Sequence, residues 1–209
     1  MTGSIATSSL TRPDDFRQVM RHLATGVVMV TTEVDGRPWG LTVSACCSVS
    51  LDPPMLLVSV AERTATAGSV RASGRFGVSI LGQGLLEVAR FGSAPGAPKF
   101  VAPYCVPPDR LGRRVLTPVV AGCLAHIDAR VSTEVAAGDH VLYVGLVESV
   151  LTAGSGDPLV YFDGAYHGLG QPVGVAAGGT SETVDSLLYP HPIPLRFRGP
   201  VAVPMQKGA

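Results

Sequence analysis

The residues best suited to hold a ligand lie in one stretch, from Gly40 to Pro54. This stretch joins strand-forming residues to small hydroxylated ones and stops at an Asp-Pro-Pro turn. The hydroxylated residues are evenly spaced, and in a single strand they would share one face: Thr42, Ser44, Ser48 and Ser50. Side chains this small would let a flat ligand reach the backbone N–H and C=O groups. The same spacing is also typical of a strand whose polar face meets water.

The histidines and cysteines are the other residues with reactive side chains. His140 follows Gly138 and Asp139, which are turn residues and place it at the start of a strand. His126 shares a strand face with Asp128 and Arg130, and we assign it to a polar strand face. Neither residue type shows metal-ligand spacing, so no metal site is predicted. We expect all four cysteines to be small buried side chains: Cys46, Cys47, Cys105 and Cys123.

The elements that must position these residues start with a helix and a hairpin. Pro13 and the two acidic residues after it suit a helix's first turn. One apolar stripe then follows at helical spacing: Phe16, Val19, Met20 and Leu23. Val27 to Val34 is rich in β-branched residues, and Asp35-Gly36 is a strong hairpin signal. Pro38 lies near the start of the returning strand, where a missing backbone donor matters least.

Further strands alternate with short helices along the chain. Thr64 or Thr66 can cap a short helix that ends at Gly74. Hairpin-spaced strands with few helices predict a mainly β, antiparallel barrel. We assign residues 13–170 to this domain, residues 1–12 to a disordered tail, and residues 171–209 to a Pro/Gly-rich extension. That extension is either disordered or wraps a neighbouring subunit.

Composition narrows the classes of partner. The 209 residues carry no formal net charge, which argues against nucleic-acid and anionic membrane partners. No apolar run approaches the roughly 20 residues that span a bilayer. The N-terminus lacks a basic region and an apolar core typical of a secretion signal, so we expect a cytoplasmic protein. With 46% hydrophobic residues, much surface is expected to be hidden between subunits.

The order of the segments resembles the flavin reductase family, FMN-binding split-barrel proteins that supply reduced flavin to two-component monooxygenases. Five collinear segments carry the resemblance: Asp15–Thr32, Gly40–Pro54, Ala72–Leu81, Gly138–His140 and Leu159–Tyr166. The resemblance implies a Greek-key split barrel with a few short peripheral helices. It also implies a homodimer, with FMN or FAD near the subunit interface and NAD(P)H as hydride donor.

The resemblance further implies which residues bind the cofactor. Those bordering the isoalloxazine and ribityl chain would be Pro38, Trp39, Gly40, Leu41, Thr42, Ser44 and Ala45, with Ser59, Val60 and Ala61 at the ring's other edge. Ala65 and Thr66 begin a helix, where free N–H groups favour a phosphate. Arg90 and Phe91 match a further family contact.

For the nicotinamide, the resemblance implies two residues. His140 would lie beside the ring, where an imidazole can hydrogen-bond the carboxamide or protonate reduced flavin. The alternative for His140 is a solvated residue at a hairpin tip. Tyr166 would pack on the nicotinamide, or it would serve ordinary packing.

Three hypotheses on function follow from this reading. The first is an NAD(P)H-dependent flavin oxidoreductase that releases reduced FMN or FAD to a partner monooxygenase. The second is a flavoenzyme that retains its flavin and acts directly on an organic substrate. The third is a flavin-binding protein without catalytic turnover.

Overall fold

The fold is built mainly from antiparallel strands, as a computed structural model shows. The structure describes residues 11–111, 115–152 and 155–170. Its strands are β1 (Thr25–Gly26), β2 (Val28–Val34), β3 (Arg37–Val43), β4 (Cys46–Leu51), β5 (Pro54–Ala61), β6 (Arg75–Ile80), β7 (Ala125–Ala137), β8 (His140–Thr152), β9 (Val160–Phe162) and β10 (Ala165–His167). Its α-helices are α1 (Pro13–Met20), α2 (Ala65–Ser73) and α3 (Leu86–Ser93). The predicted extension over residues 171–209, and all but two residues of the predicted tail over 1–12, lie outside the described residues.

Seven strands form one sheet in the order β3-β2-β6-β7-β8-β5-β4. Every pairing within it is antiparallel. A smaller antiparallel sheet has the order β1-β9-β10. The mainly β, antiparallel prediction is therefore confirmed. Closure into a Greek-key split barrel and the homodimer stay predictions.

Two local predictions hold because the residues at the turns meet the backbone's needs. Asp35 and Gly36, with φ of 51° and 67°, form the tight turn between β2 and β3. The Thr64 hydroxyl accepts a hydrogen bond from Ala67 N at 3.2 Å, so Thr64 is the N-cap of α2. Gly74, at φ 67°, ends that helix in the left-handed conformation.

The apolar stripe of α1 is not buried within the chain. The four predicted residues are all exposed: Phe16, Val19 and Met20 on α1, and Leu23 just after the helix ends. The helix is instead attached through Arg21, whose Nε donates to Asp163 Oδ1 at 3.1 Å. A single chain thus leaves this face in solvent.

The Gly40–Pro54 stretch is not one strand, so the expectation of a single shared face is wrong. β3 ends at Val43 and β4 begins at Cys46. The pairing register of β4 also shifts between Ser48 and Ser50. A one-residue shift moves side chains to the opposite face. Thr42, Ser44, Ser48 and Ser50 therefore do not lie on one continuous strand face.

His126 is not on a solvated polar face, because the segment around Thr117 covers that part of the sheet. His126 and Asp128 are each only 1% exposed. His126 Nδ1 bonds the Ser79 hydroxyl at 2.9 Å, and its Nε2 bonds Thr117 Oγ1 at 3.0 Å. Thr117 Oγ1 in turn donates to Asp128 Oδ1. Strand spacing placed these side chains on one face but could not show what packs over it.

Asp128 holds the charge at the centre of this network. Its carboxylate also accepts from Ser149 Oγ at 2.8 Å and from Leu116 N at 3.1 Å. Burial alone would raise the pKa of Asp128, but the hydrogen bonds from His126, Thr117, Ser149 and Leu116 outweigh it and lower the pKa to about 2. The carboxylate is therefore ionised in the fold at neutral pH.

We expect Asp128→Asn to lower the free energy of unfolding by about 2–4 kcal/mol. The asparagine amide NH2 would replace a carboxylate oxygen and would face the hydroxyl and N–H donors that now bond Asp128. The folded pKa lies below the unfolded one. The contribution of Asp128 is therefore complete above about pH 4 and is lost as pH falls toward the folded pKa. Urea unfolding between pH 2 and 7 measures both effects, with Asp14→Asn on the exposed helix α1 as control. An unchanged midpoint for Asp128→Asn would contradict the network's role.

The cysteine expectation is correct only in part. Cys123 is buried and Cys46 and Cys105 are half-buried, but Cys47 is exposed. Burial raises the pKa of the Cys46 and Cys105 thiols to about 11. Among the described residues, no helix is both long and apolar enough to cross a membrane.

Candidate functional site

The predicted cofactor residues meet where the end of β3 approaches β5. Ser59 N donates to Ala45 O at 3.0 Å, which joins the β3–β4 connection to β5. β3 and β5 are not neighbours in the sheet, however. Ser44 and Ala45 are exposed at this junction, and Ser59 and Ala61 are half-buried. The junction thus presents small, accessible side chains, and we call this surface of Ser44, Ala45, Ser59 and Ala61 the groove.

The N-terminus of α2 lies at one end of this groove. Trp39 Nε1 donates to Thr66 Oγ1 at 3.1 Å, so the indole of β3 contacts the first turn of the helix. Thr66 is fully buried, and its hydroxyl is turned toward the indole. The N–H groups of the first helical residues, Ala65 and Thr66, have no acceptor within the helix. A phosphate here would be bound by backbone N–H groups.

His140 lies next to the same groove. In the β5–β8 ladder it is directly opposite Ala61, and Val141 is opposite Val60. The His140 side chain is 43% exposed, and its Nδ1 bonds Asp139 Oδ1 at 2.7 Å. This hydrogen bond lowers the pKa of Asp139 below its ordinary value. An ionised Asp139 orients the imidazole and leaves Nε2 for a ligand.

A pocket of about 370 Å³ opens on the other side of Ser44. Its lining combines hydroxyl groups with aromatic rings: Val27, Thr42, Val43, Ser44, Ser93, Tyr161, Gly164 and Tyr166. The Thr42 hydroxyl is buried and has no hydrogen-bond partner among the described residues. A pocket of this kind fits a flat, polar heterocycle. A second pocket of the same volume, around Gly82–Leu85, contains no predicted site residue.

Tyr166 belongs to this pocket rather than to the surroundings of His140. Its hydroxyl donates to Ser93 Oγ at 3.2 Å, which ties β10 to the end of α3. Its ring meets that of Tyr161 edge-on, with centroids 5.3 Å apart. The structure therefore brings Tyr166 to Thr42 and Ser44, and brings His140 to Ala61.

Close packing explains why β3 carries a glycine at position 40. A Cβ on Gly40 would lie 2.5 Å from Met29 Sδ and 2.9 Å from Val101 Cγ1, so any larger residue would force these side chains to move. Pro38 O accepts from Val101 N at 3.0 Å, and Gly40 N donates to Lys99 O at 3.0 Å. The 99–101 segment therefore pairs with one edge of β3. On the same strand, the side chain of Leu41 packs against the hydrophobic core.

Arg90 and Phe91 are predicted cofactor residues on α3, and their described side-chain contacts are with residues outside the groove. Arg90 is exposed and pairs with Glu87 at 2.9 Å. Phe91 is half-buried, and its ring packs against Tyr104 with centroids 5.4 Å apart. Neither makes a described contact with β5 or His140, and their role in binding stays a prediction.

Five residues that line the pocket were not predicted from the sequence: Val27, Val43, Ser93, Tyr161 and Gly164. A signal for one of them was available. Asp163-Gly164 is a two-residue turn, which places Tyr161 directly opposite Tyr166. Ser93 carried no such signal, because only the packing of α3 on β3 brings it there.

The residues present fit a flavin on two observations. One is the orphaned Thr42 hydroxyl in a pocket lined by serine and tyrosine. The other is the first turn of α2, where exposed Ala65 has an N–H without an acceptor in the helix, beside a groove of small residues. Together they offer polar partners for a ring edge and for a phosphate.

Comparisons with known proteins agree with this chemistry. The model of the flavin reductase like domain matches residues 20–170. The reductase component of 4-nitrophenol 4-monooxygenase/4-nitrocatechol 2-monooxygenase from Rhodococcus opacus is 36% identical over 152 residues, covering 73% of this chain and 78% of that protein. An NADH-dependent flavin reductase from a Rhodococcus species is 35% identical over 161 residues, covering 75% and 86%.

Solved structures show the same similarity. The flavin reductase PheA2 in its native state superposes with a TM-score of 0.66 at 34% identity, covering 77% of this chain and all of that one. The flavin reductase of styrene monooxygenase from Pseudomonas putida S12 gives a TM-score of 0.66 at 30% identity, covering 76% and 99%.

Proposed function

Since this chain belongs to the flavin reductase family, we propose that it is an NAD(P)H-dependent flavin oxidoreductase that supplies reduced flavin to a partner monooxygenase. The observation that carries the proposal is the position of the predicted residues around one groove. Ser44, Ala45, Ser59 and Ala61 edge it, with the start of α2 at one end. His140 lies beside it, opposite Ala61.

The protein's contribution to this reaction is binding and orientation. Bound flavin supplies the hydride-accepting chemistry itself. The N–H groups of Ala65 and Thr66 would bind the flavin phosphate, and the small residues of the groove would let the ring lie against the backbone. His140 would hold the nicotinamide or keep a proton at Nε2, with Asp139 fixing Nδ1. Hydride transfer is sensitive to such positioning.

An open site supports release of flavin over retention. Ser44 and Ala45 are exposed, and the adjacent pocket opens to solvent. A flavin there would exchange without unfolding of the chain. This favours a diffusible product over an enzyme that keeps its flavin for an organic substrate.

Anaerobic mixing of the protein with NADH and an excess of free flavin tests the proposal. Bleaching of the flavin absorbance over many turnovers is the expected result. A single stoichiometric bleach would instead indicate the flavoenzyme that retains its flavin. No bleaching would leave a flavin-binding protein without turnover, and would contradict the proposed activity.

The proposal includes a homodimer. A single chain exposes large apolar side chains on several elements, including three on α1 and Val49 and Leu51 of β4. β4 is also an edge strand of the larger sheet, with one side unpaired within the described residues. Both features suit burial between subunits.

A further inference from the structure

A row of side chains in contact extends from α2 along β3 to its first residue. Trp39, bonded to Thr66, meets the ring of Phe100 edge-on, with centroids 4.9 Å apart and planes at 89°. The Arg37 guanidinium lies over the same Phe100 ring, with Cζ 3.7 Å from its centroid. We call Arg37, Phe100 and Trp39 the stacking row.

The stacking row is held from both sides. Phe100 is fixed because the residues on either side of it, Lys99 and Val101, hydrogen-bond to β3. Arg37 directly follows the Asp35-Gly36 turn, so its backbone is set by that turn. Side chains positioned by paired strands make a more precise site than side chains on a free loop.

Arg37 carries a charge without a local partner. It is exposed, and it forms no ion pair within the described ranges of the chain. One face of its guanidinium is covered by Phe100, and the plane therefore presents its other face and its edge N–H groups. A planar guanidinium stacks on aromatic bases and binds phosphates through paired N–H groups.

Position along the strand decides the kind of ligand. Arg37 is two residues from Trp39, about 7 Å along β3, on the same face of the strand. Trp39 in turn contacts the helix start that we assign to the flavin phosphate. A ligand group at Arg37 would therefore lie beyond that phosphate, where mononucleotide flavin has no further atoms.

We propose that the stacking row binds the adenosine diphosphate portion of a dinucleotide, with the adenine on the Arg37 guanidinium and a phosphate at its N–H groups. FAD and NADH both carry this portion, and FMN does not. The inference rests on the proposed function, because it adds a second contact to the same flavin-binding groove.

Trp39 provides a direct probe, because it is the single tryptophan of the chain. ADP should change the Trp39 fluorescence in a saturable way without absorbing at the excitation wavelength. Arg37→Ala should weaken ADP binding about tenfold, as loss of a stacked cation allows. Arg37→Lys should recover only part of it, since lysine keeps the charge but not the plane. Arg130→Ala, on β7, controls for the loss of one positive charge.

Pyrophosphate serves as the matched probe without a base. Weaker binding of pyrophosphate than of ADP supports recognition of the adenine. Equal affinity for the two would overturn the proposal, as would an ADP affinity that Arg37→Ala leaves unchanged. Circular dichroism of Arg37→Ala shows whether the fold is intact, and Arg37→Gln, which keeps much of the side chain's length, replaces it if the fold is lost.

Steady-state kinetics then identify the source of the adenylate. A selective rise in the KM for FAD assigns the site to flavin dinucleotide. A selective rise in the KM for NADH, measured with FMN as acceptor, assigns it to the nicotinamide dinucleotide. An equal rise for FMN would overturn the proposal. Reduction of FMN by Arg37→Ala at saturating NADH tests the proposed function separately, since FMN lacks the adenylate and saturation removes any effect of weaker NADH binding.

Discussion

Replacing His140 with alanine is expected to slow the reduction of flavin by NADH about 10²-fold, or to raise the KM for NADH, because general acid catalysis typically contributes 10²–10⁴-fold. The imidazole lies opposite Ala61 at the groove, and Asp139 holds its Nδ1 at 2.7 Å. Flavin affinity should change little, since His140 is assigned to the other ligand. Stopped-flow reduction at saturating NADH and flavin titration of the same variant separate the two quantities.

Two further variants sharpen the test of His140. His140→Gln keeps a hydrogen-bonding side chain but cannot supply a proton near neutral pH. Recovery of the NADH KM without recovery of the rate would assign proton transfer, and recovery of both would assign positioning. His22→Ala, an exposed histidine after α1, is the matched control. A His140→Ala variant that loses flavin but is reduced normally once refilled would contradict the assignment.

Replacing Ser44 with phenylalanine is expected to weaken flavin binding about 10- to 100-fold, because overpacking of a fitted site costs about 1–3 kcal/mol. Ser44 lies between the groove at Ala45 and the pocket that contains Thr42 and Tyr166. A large ring there would occupy the space of the isoalloxazine. Because Ser44 is exposed, the core should not be disturbed.

Fluorescence titration with FMN and FAD measures this effect, and circular dichroism confirms the fold. Thr133→Phe, at an exposed position of β7, places the same ring elsewhere on the sheet and should leave the affinity unchanged. Unchanged affinity in Ser44→Phe would remove the β3–β4 connection from the site. Equal loss in both variants would indicate a general effect of surface phenylalanine.

Local chemistry determined much of the fold from the sequence alone. Asp35-Gly36 form the β2–β3 turn because both residues tolerate positive φ. Thr64 caps α2 and Gly74 ends it, for reasons that lie within a few residues of each position. The order of the segments was sufficient to predict the family, which the domain match confirms.

Which side chains share a strand face could be determined only from the tertiary structure. Period-two spacing placed Thr42 and Ser44 on the face of Ser48 and Ser50, but the chain bends after Val43 and starts a new strand at Cys46. Spacing cannot show a break of this kind when the residues on either side all favour strands. The register of β4 is instead set by its pairing with β5.

The burial of polar side chains and the contacts between residues far apart in sequence depend on how distant segments pack. His126 and Asp128 are buried because residues around Thr117 cover their face of the sheet. Tyr166 reaches Ser93 across 73 positions of sequence. The sequence alone determined the local elements and the family, because turns, caps and segment order depend on neighbouring residues. The tertiary structure decided which side chains share a groove or pocket, because that depends on how separate strands and helices pack.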